Sequence, residues 1–158
     1  MLEFRNLRNK WVQDRITTNL PAKDEEISLF QIANNVVLPK DLVDYLKSLN
    51  GTGQDYTNDL YEFYSLDRIK NVNEEFNDWK GIPDYKKLSL VLKDSMKLFV
   101  LANYQFNLFA YAIRLDSDSS IENSVFVICG DEFKKIAKSF SDFILLYLND
   151  SIELQFNK

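Results

Sequence analysis

Carboxylates are the most numerous side chains here that could do chemistry, and their spacing decides which chemistry is open to them. Asp116 and Asp118, followed by Glu122, begin like an oxygen-ligand cation loop, because Asp-x-Asp sets two carboxylates on one side of a turn. A calcium loop between two helices needs Gly at its sixth position and Glu at its twelfth, and those positions hold Ile121 and Val127. The pattern therefore reads as a solvated polar turn. Glu74 and Glu75 are a carboxylate pair, but neighbours on a helix point in different directions and do not converge on one substrate atom. Cys129 has no second cysteine and no histidine to activate it, and is expected as a small buried apolar residue. The chain contains no histidine at all, which removes serine triads, cysteine–histidine dyads, imidazole metal sites and the usual general base together. Gly51, Gly53, Gly81 and Gly130 form neither a phosphate loop nor a dinucleotide fingerprint. These residues lead to the expectation of a protein that is not an enzyme and holds no cofactor or metal.

One stretch is instead suited to contact. Residues 55–84 carry eight acids (Asp55, Asp59, Glu62, Asp67, Glu74, Glu75, Asp78, Asp84) against Arg68, Lys70 and Lys80, a balance of −5 that equals the formal net charge of the whole chain. Tyr56, Tyr61, Phe63, Tyr64, Phe76 and Trp79 interleave with those acids. Aromatic rings supply contact area and carboxylates steer a basic partner. Asp55, Tyr56, Asp59, Tyr61, Glu74, Glu75, Asp78 and Trp79 are accordingly expected at a partner surface, with a basic partner there. The competing reading is that the rings fill the core and the acids keep a loop and helix soluble. A sequence pI near 4.8 argues against nucleic acid as ligand, since phosphate binding rests on clustered Lys and Arg.

These groups need a frame, and 158 residues with 46% hydrophobic and 27% charged content give one folded domain rather than a disordered chain. The single cysteine suggests no disulfide framework, the first residues have no apolar core of a secretory signal, and no apolar run is long enough to span a membrane, so the expected location is the cytoplasm. Leu7 and Trp11 suggest a short helix that ends by Pro21. Asp24, Glu25 and Glu26 open a second helix to about residue 33, and Leu42, Tyr45, Leu46 and Leu49 mark a third over 39–49, stopped by Asn50-Gly51. A strand is expected over 60–66, a helix over 67–79 and a loop over 81–84. Strands follow over 98–102, 106–115 and 125–129, and a closing helix over 131–149 with a possible break at Ser139. Along 109–115, Phe109, Tyr111, Ile113 and Leu115 share one parity and Ala110 and Ala112 the other, small enough to let a helix approach. The class is α+β, a largely antiparallel sheet covered by helices.

Three segments resemble the SUKH superfamily of Smi/Knr-like proteins. Leu38-Pro39-Lys40-Asp41-Leu42-Val43-Asp44-Tyr45-Leu46-Lys47-Ser48-Leu49-Asn50-Gly51 is similar to its L-P-x-D … N-G segment. Glu25-Glu26-Ile27 with Phe30-Gln31 resembles its first helix, with Gln31 where an acid is usual, and residues 136–144 (IAKSFSDFI) resemble its I-A-x-S-F-x-x-F-L closing helix. Leu98 to Asn103 and Phe109 to Leu115 fit its central strand pair; Tyr104-Gln105-Phe106-Asn107 stands where a Gly-rich turn is usual. The resemblance divides the chain into an N-terminal extension, 1–23, and a SUKH-like domain, 24–158. It implies a non-catalytic protein-binding domain, most often a bacterial immunity protein that neutralises a cognate toxin, for which a nuclease would offer the basic face. The alternative it implies is a regulatory or scaffold domain of the same fold that binds cellular proteins.

Overall fold

The alternation of large and small side chains along 109–115 sets how the molecule is layered. The structure is a computed structural model and describes residues 2–81 and 83–156. Along the chain run α1 (Leu2–Gln13), α2 (Asp24–Asn34), α3 (Lys40–Leu46), β1 (Tyr61–Phe63), α4 (Val72–Phe76), α5 (Leu88–Val91), β2 (Leu98–Tyr104), β3 (Phe109–Arg114), β4 (Val125–Cys129), β5 (Glu132–Ala137) and α6 (Phe140–Leu148). The strands form one five-stranded sheet in the order β1-β2-β3-β4-β5, each pair antiparallel. This is the α+β architecture expected from the sequence.

Register places Tyr111 opposite Ala102 and Val127, and Phe63 opposite Ala102, on one face of the sheet. The helices α1, α3 and α6 cover that face: Tyr111 meets Phe143 at 5.4 Å, Phe63 meets Tyr147 at 5.0 Å and Trp11 at 5.1 Å, and Tyr45 meets Phe140 at 4.8 Å. Leu42, Leu46, Phe140 and Ile144 are buried there, as the periodicity required. The N-terminal segment is part of this layer, since Phe4, Leu7 and Trp11 of α1 are buried in the same core. Ala110 and Ala112 lie on the opposite face beside Asn103 and Val100. No long helix uses the room they leave; the irregular chain carrying α4 and α5 crosses that face, with Tyr64 bonded to Asn103.

The residues of the sequence signatures tie these layers together. Asp41 Oδ2 accepts the Ser141 N–H at 2.9 Å, so the first signature caps the helix opened by the last, where an anion is favoured. Ser139 does the local capping, accepting the Asp142 N–H. Asn50, at φ 52°, donates to Leu20 O and accepts the Leu66 N–H. At Gly51, φ is +90° and an added Cβ would lie 2.7 Å from Phe63 O, so only glycine lets this loop pass against β1. Gln31 Oε1 accepts the Leu38 N–H at 2.8 Å, a task a carboxylate would perform equally.

Several boundaries depart from expectation. The closing helix over 131–149 is two elements, β5 and then α6. Phe133, Ile136 and Ala137 fit helical spacing together with Phe140 and Ile144, but Gly130 at φ +64° turns the chain with Asp131 into a hairpin that pairs Cys129 with Glu132. The helix over 67–79 is a 3-10 turn at Leu66–Arg68 followed by α4, because Ile69 is extended and Asn71 caps afresh by accepting the Glu74 N–H. Strand 60–66 shortens to Tyr61–Phe63 between Leu60 at φ 71° and Ser65, which leads into that turn. The second central strand begins at Phe109 rather than Phe106, and α3 ends at Leu46, after which Ser48 and Leu49 return their N–H groups to Tyr45 O. Ile82 of the expected 81–84 loop lies outside the described residues.

Candidate protein-binding surface

The acidic stretch folds as β1, the 3-10 turn and α4, over the face that carries Asn103. Of its eight expected contact residues, Asp55, Glu74 and Asp78 are exposed, and Tyr56 and Asp59 are half-buried. Tyr61, Glu75 and Trp79 are buried, which corrects their place at a surface. The physical reason is that each has an interior job: the Tyr61 ring packs on Tyr104 and Tyr147, and Glu75 Oε2 accepts both the Tyr64 hydroxyl (3.2 Å) and the Trp79 indole N–H (3.0 Å). Asp59 is occupied as well, with Lys10 of α1 at 3.3 Å and the Thr57 hydroxyl donating to it.

Asn103, 1% exposed, is the centre of a buried polar network. Its amide donates to Glu62 Oε1 (3.0 Å) and the Tyr64 hydroxyl (3.2 Å), while its Oδ1 accepts the Tyr56 hydroxyl (2.9 Å) and the Asn107 N–H (3.2 Å). Both donors and both lone pairs are used, which is what a buried amide requires. Glu62 meets Arg68 at 2.7 Å, and the guanidinium lies 4.3 Å from the Tyr64 ring centroid. Burial works against the charge on Arg68, but hydrogen bonding and attraction to Glu62 outweigh it and raise its pKa. Burial also raises the Tyr56 phenol, partly offset by its bond to Asn103, and pushes Tyr61 up to about 12. The chain of contacts Tyr56–Asn103–Tyr64–Glu75–Trp79 thus runs beneath the exposed acids from one sheet end to α4.

At that sheet end the backbone is strained. Of the ten non-glycine described residues with positive φ, five gather here: Gln54, Leu60, Gln105, Phe106 and Asn107. The last three are consecutive, and the Leu108 N–H closes back on Tyr104 O at 3.0 Å in a single left-handed turn. Left-handed backbone costs an L-residue about 1–2 kcal/mol. The sequence carried one signal for Asn103, a polar residue inside the apolar run of 98–104, and none for the packing of Phe106 against Tyr56.

Elsewhere the acids are engaged locally. Asp116 is nearly buried rather than solvated; Lys97 Nζ at 2.8 Å and the Asp118 N–H hold its pKa down at about 2. Asp118 accepts from Ser120, and Glu122 pairs with Lys135. Among the described residues no group of three or more Cys, Asp and Glu side chains could hold a metal ion. Cys129 is half-buried against the core. No described helix is long and apolar enough to cross a membrane.

A profile of the SMI1 / KNR4 family (SUKH-1) matches residues 21–146, from the linker ahead of α2 into α6. The chain belongs to this family. The matched span contains both Asp41 and Ser141, so the cap between the two signatures lies within the SUKH-1 portion. It also contains the Asn103 network and the left-handed turn, whereas α1 and the end of α6 lie outside it. SUKH-1 domains are in general non-enzymatic domains of the immunity type. No curated protein matches the sequence.

Proposed function

We propose that this SUKH-1 domain is an immunity protein that neutralises a cognate toxin by covering it, doing no chemistry itself, and that the toxin is basic where it docks. The reading rests on one observation: Asp55, Asp67, Glu74, Asp78 and Asp84 stand exposed in the stretch that supplies the network described above, against Lys70, which lies 3.8 Å from Asp78, Lys80, and Arg68 held by Glu62. A fixed acidic face speeds encounter with a cationic partner and repels acidic ones. A nuclease would offer such a partner, because cleaving a polyanion requires Lys and Arg around the active site. In the cytoplasm this would protect the cell that makes both proteins.

The test uses the toxin encoded beside this gene and the triple variant Asp55→Lys, Glu74→Lys, Asp78→Lys. Exposed charges are screened within about 10 Å at 0.1 M salt, so the variant should associate more slowly at low salt and converge on the wild type at high salt. A folded variant that associates at the wild-type rate at low salt places the interface elsewhere. A toxin that still kills cells making the wild-type protein removes the immunity reading.

A further inference from the structure

We propose that Phe106, packed against Tyr56 at the tip of the β2–β3 hairpin, is the aromatic anchor of this partner surface and receives an arginine side chain of a basic protein. The inference rests on the protein-binding reading of the acidic face and names the contact at its centre. Phe106 is 69% exposed, yet the backbone on both sides of it is anchored. Its ring lies 4.6 Å from that of Tyr56, whose hydroxyl is held by Asn103, and the Asn107 N–H next to it is held by the same Asn103 oxygen. From the other side, the Gln105 N–H donates to the carbonyl of Leu60, itself left-handed.

Reversing the chain does not demand this arrangement. Hairpins turn readily through Asn-Gly or Gly-containing loops that accept positive φ without strain. Here three residues with side chains take φ of 51°, 55° and 72°, and the result is a largely exposed ring packed at a tilt of 45° against Tyr56. Strain of this kind marks positions where the surrounding structure imposes a conformation for use. Other exposed apolar side chains, Leu90 beside Val91 and Ile152 among them, lie on short helical turns whose own residues take no positive φ. An immobilised aromatic ring loses little entropy on binding and is the usual centre of an interface.

The chemistry of the partner follows from the neighbours. Asp55, adjoining Tyr56, is exposed and forms no ion pair among the described residues. An exposed ring on a surface that also carries an unpaired carboxylate suits guanidinium better than ammonium, because the planar group can stack on a ring while its fork of N–H donors meets carboxylate oxygens.

The full-length protein carrying a photoreactive benzoylphenylalanine at position 106, at position 74 or at position 152 would be irradiated in cells of the organism that carries the gene. Positions 106 and 74 should capture the same basic protein, the 106 adduct mapping to an arginine-bearing segment, and position 152 should capture nothing. Capture at 74 without 106 overturns the anchor and leaves the acidic-face reading standing; capture at neither overturns both. The same protein at all three positions, or an acidic protein at 106, also overturns the anchor. With the captured partner, Phe106→Ala should weaken binding about tenfold or more at unchanged thermal stability, as for interface hot spots. Gln105→Gly with Asn107→Gly should raise stability yet weaken binding about threefold by freeing the turn. Unchanged affinity in Phe106→Ala overturns the proposal.

Discussion

The two faces of the sheet are built on different physics. One is closed by α1, α3 and α6 through rings packed at 4.8–5.4 Å, with buried polar contacts such as the Trp11 indole N–H to the Tyr147 hydroxyl at 3.3 Å set among the rings. The other is closed by irregular chain laid over the strands, with Glu62 of β1, Asn103 of β2 and Glu75 of α4 buried, and there every bond must be met by a named partner. Apolar packing tolerates exchange of one ring for another of similar volume, whereas a polar network tolerates little, since an orphaned buried group bears its full desolvation cost. The helical family signatures lie on the tolerant face and the caps that join it, while the strand segment Leu98 to Asn103 also supplies the network. The exposed acids of 55–84 and the strained turn belong to the exacting one.

The largest effect expected on either side is Phe140→Ala, which empties a site in contact with Phe4, Tyr45 and Phe143 and should cost about 3–5 kcal/mol in urea melts. A loss under about 1 kcal/mol would remove Phe140 from the core and erase the contrast. Next comes Asn103→Ala, which strands Glu62, the Tyr56 hydroxyl and the Asn107 N–H and should cost roughly 2–3 kcal/mol. It should also loosen Phe106, visible as faster amide exchange at 105–108; an unchanged exchange rate would show that the turn holds itself. A smaller effect is read in acid. Because Asp116 titrates near 2 in the fold against an ordinary 3.8, its contribution is full above about 4 and is lost as pH falls through about 2. Asp116→Asn should flatten that part of the wild-type stability curve, and an identical acid limb in both proteins would contradict it. The smallest is the triple reversal at Asp55, Glu74 and Asp78: these exposed acids should change stability by less than about 0.5 kcal/mol, and a greater loss would make them structural.

Much of the first face was legible in the sequence, since Leu42, Tyr45, Leu46 and Phe140 recur at helical spacing and the central strands alternate as strands should. The failures share a cause. Phe133, Ile136 and Ala137 satisfy both a helix and an edge strand, and only the Gly130-Asp131 turn separates the two. Over 67–79 the local composition favours a helix, but Ile69 and Asn71 are drawn to β2, Asn71 pairing with Phe99 and Lys70 accepting the Val100 N–H. The buried fates of Tyr61, Glu75 and Trp79 depend on Tyr64, Tyr104 and Tyr147, partners that no local pattern brings together.

In kinetic terms, the sheet order has an outcome of its own. From Leu98 to Ala137 each strand pairs with its chain neighbour, so three consecutive hairpins can zip with only short loops to close. The bond from Asp41 to Ser141 joins residues 100 apart and can form only after that ribbon exists. Helix docking is therefore expected as the last step of folding and the first of unfolding. Asp41→Ala, a lost cap of about 1 kcal/mol, should therefore raise the unfolding rate about fivefold and leave the folding rate within about a factor of two. Stopped-flow chevrons in which the folding limb drops instead would put helix closure inside the nucleus, and make the covering layer the seed of the fold rather than its latch.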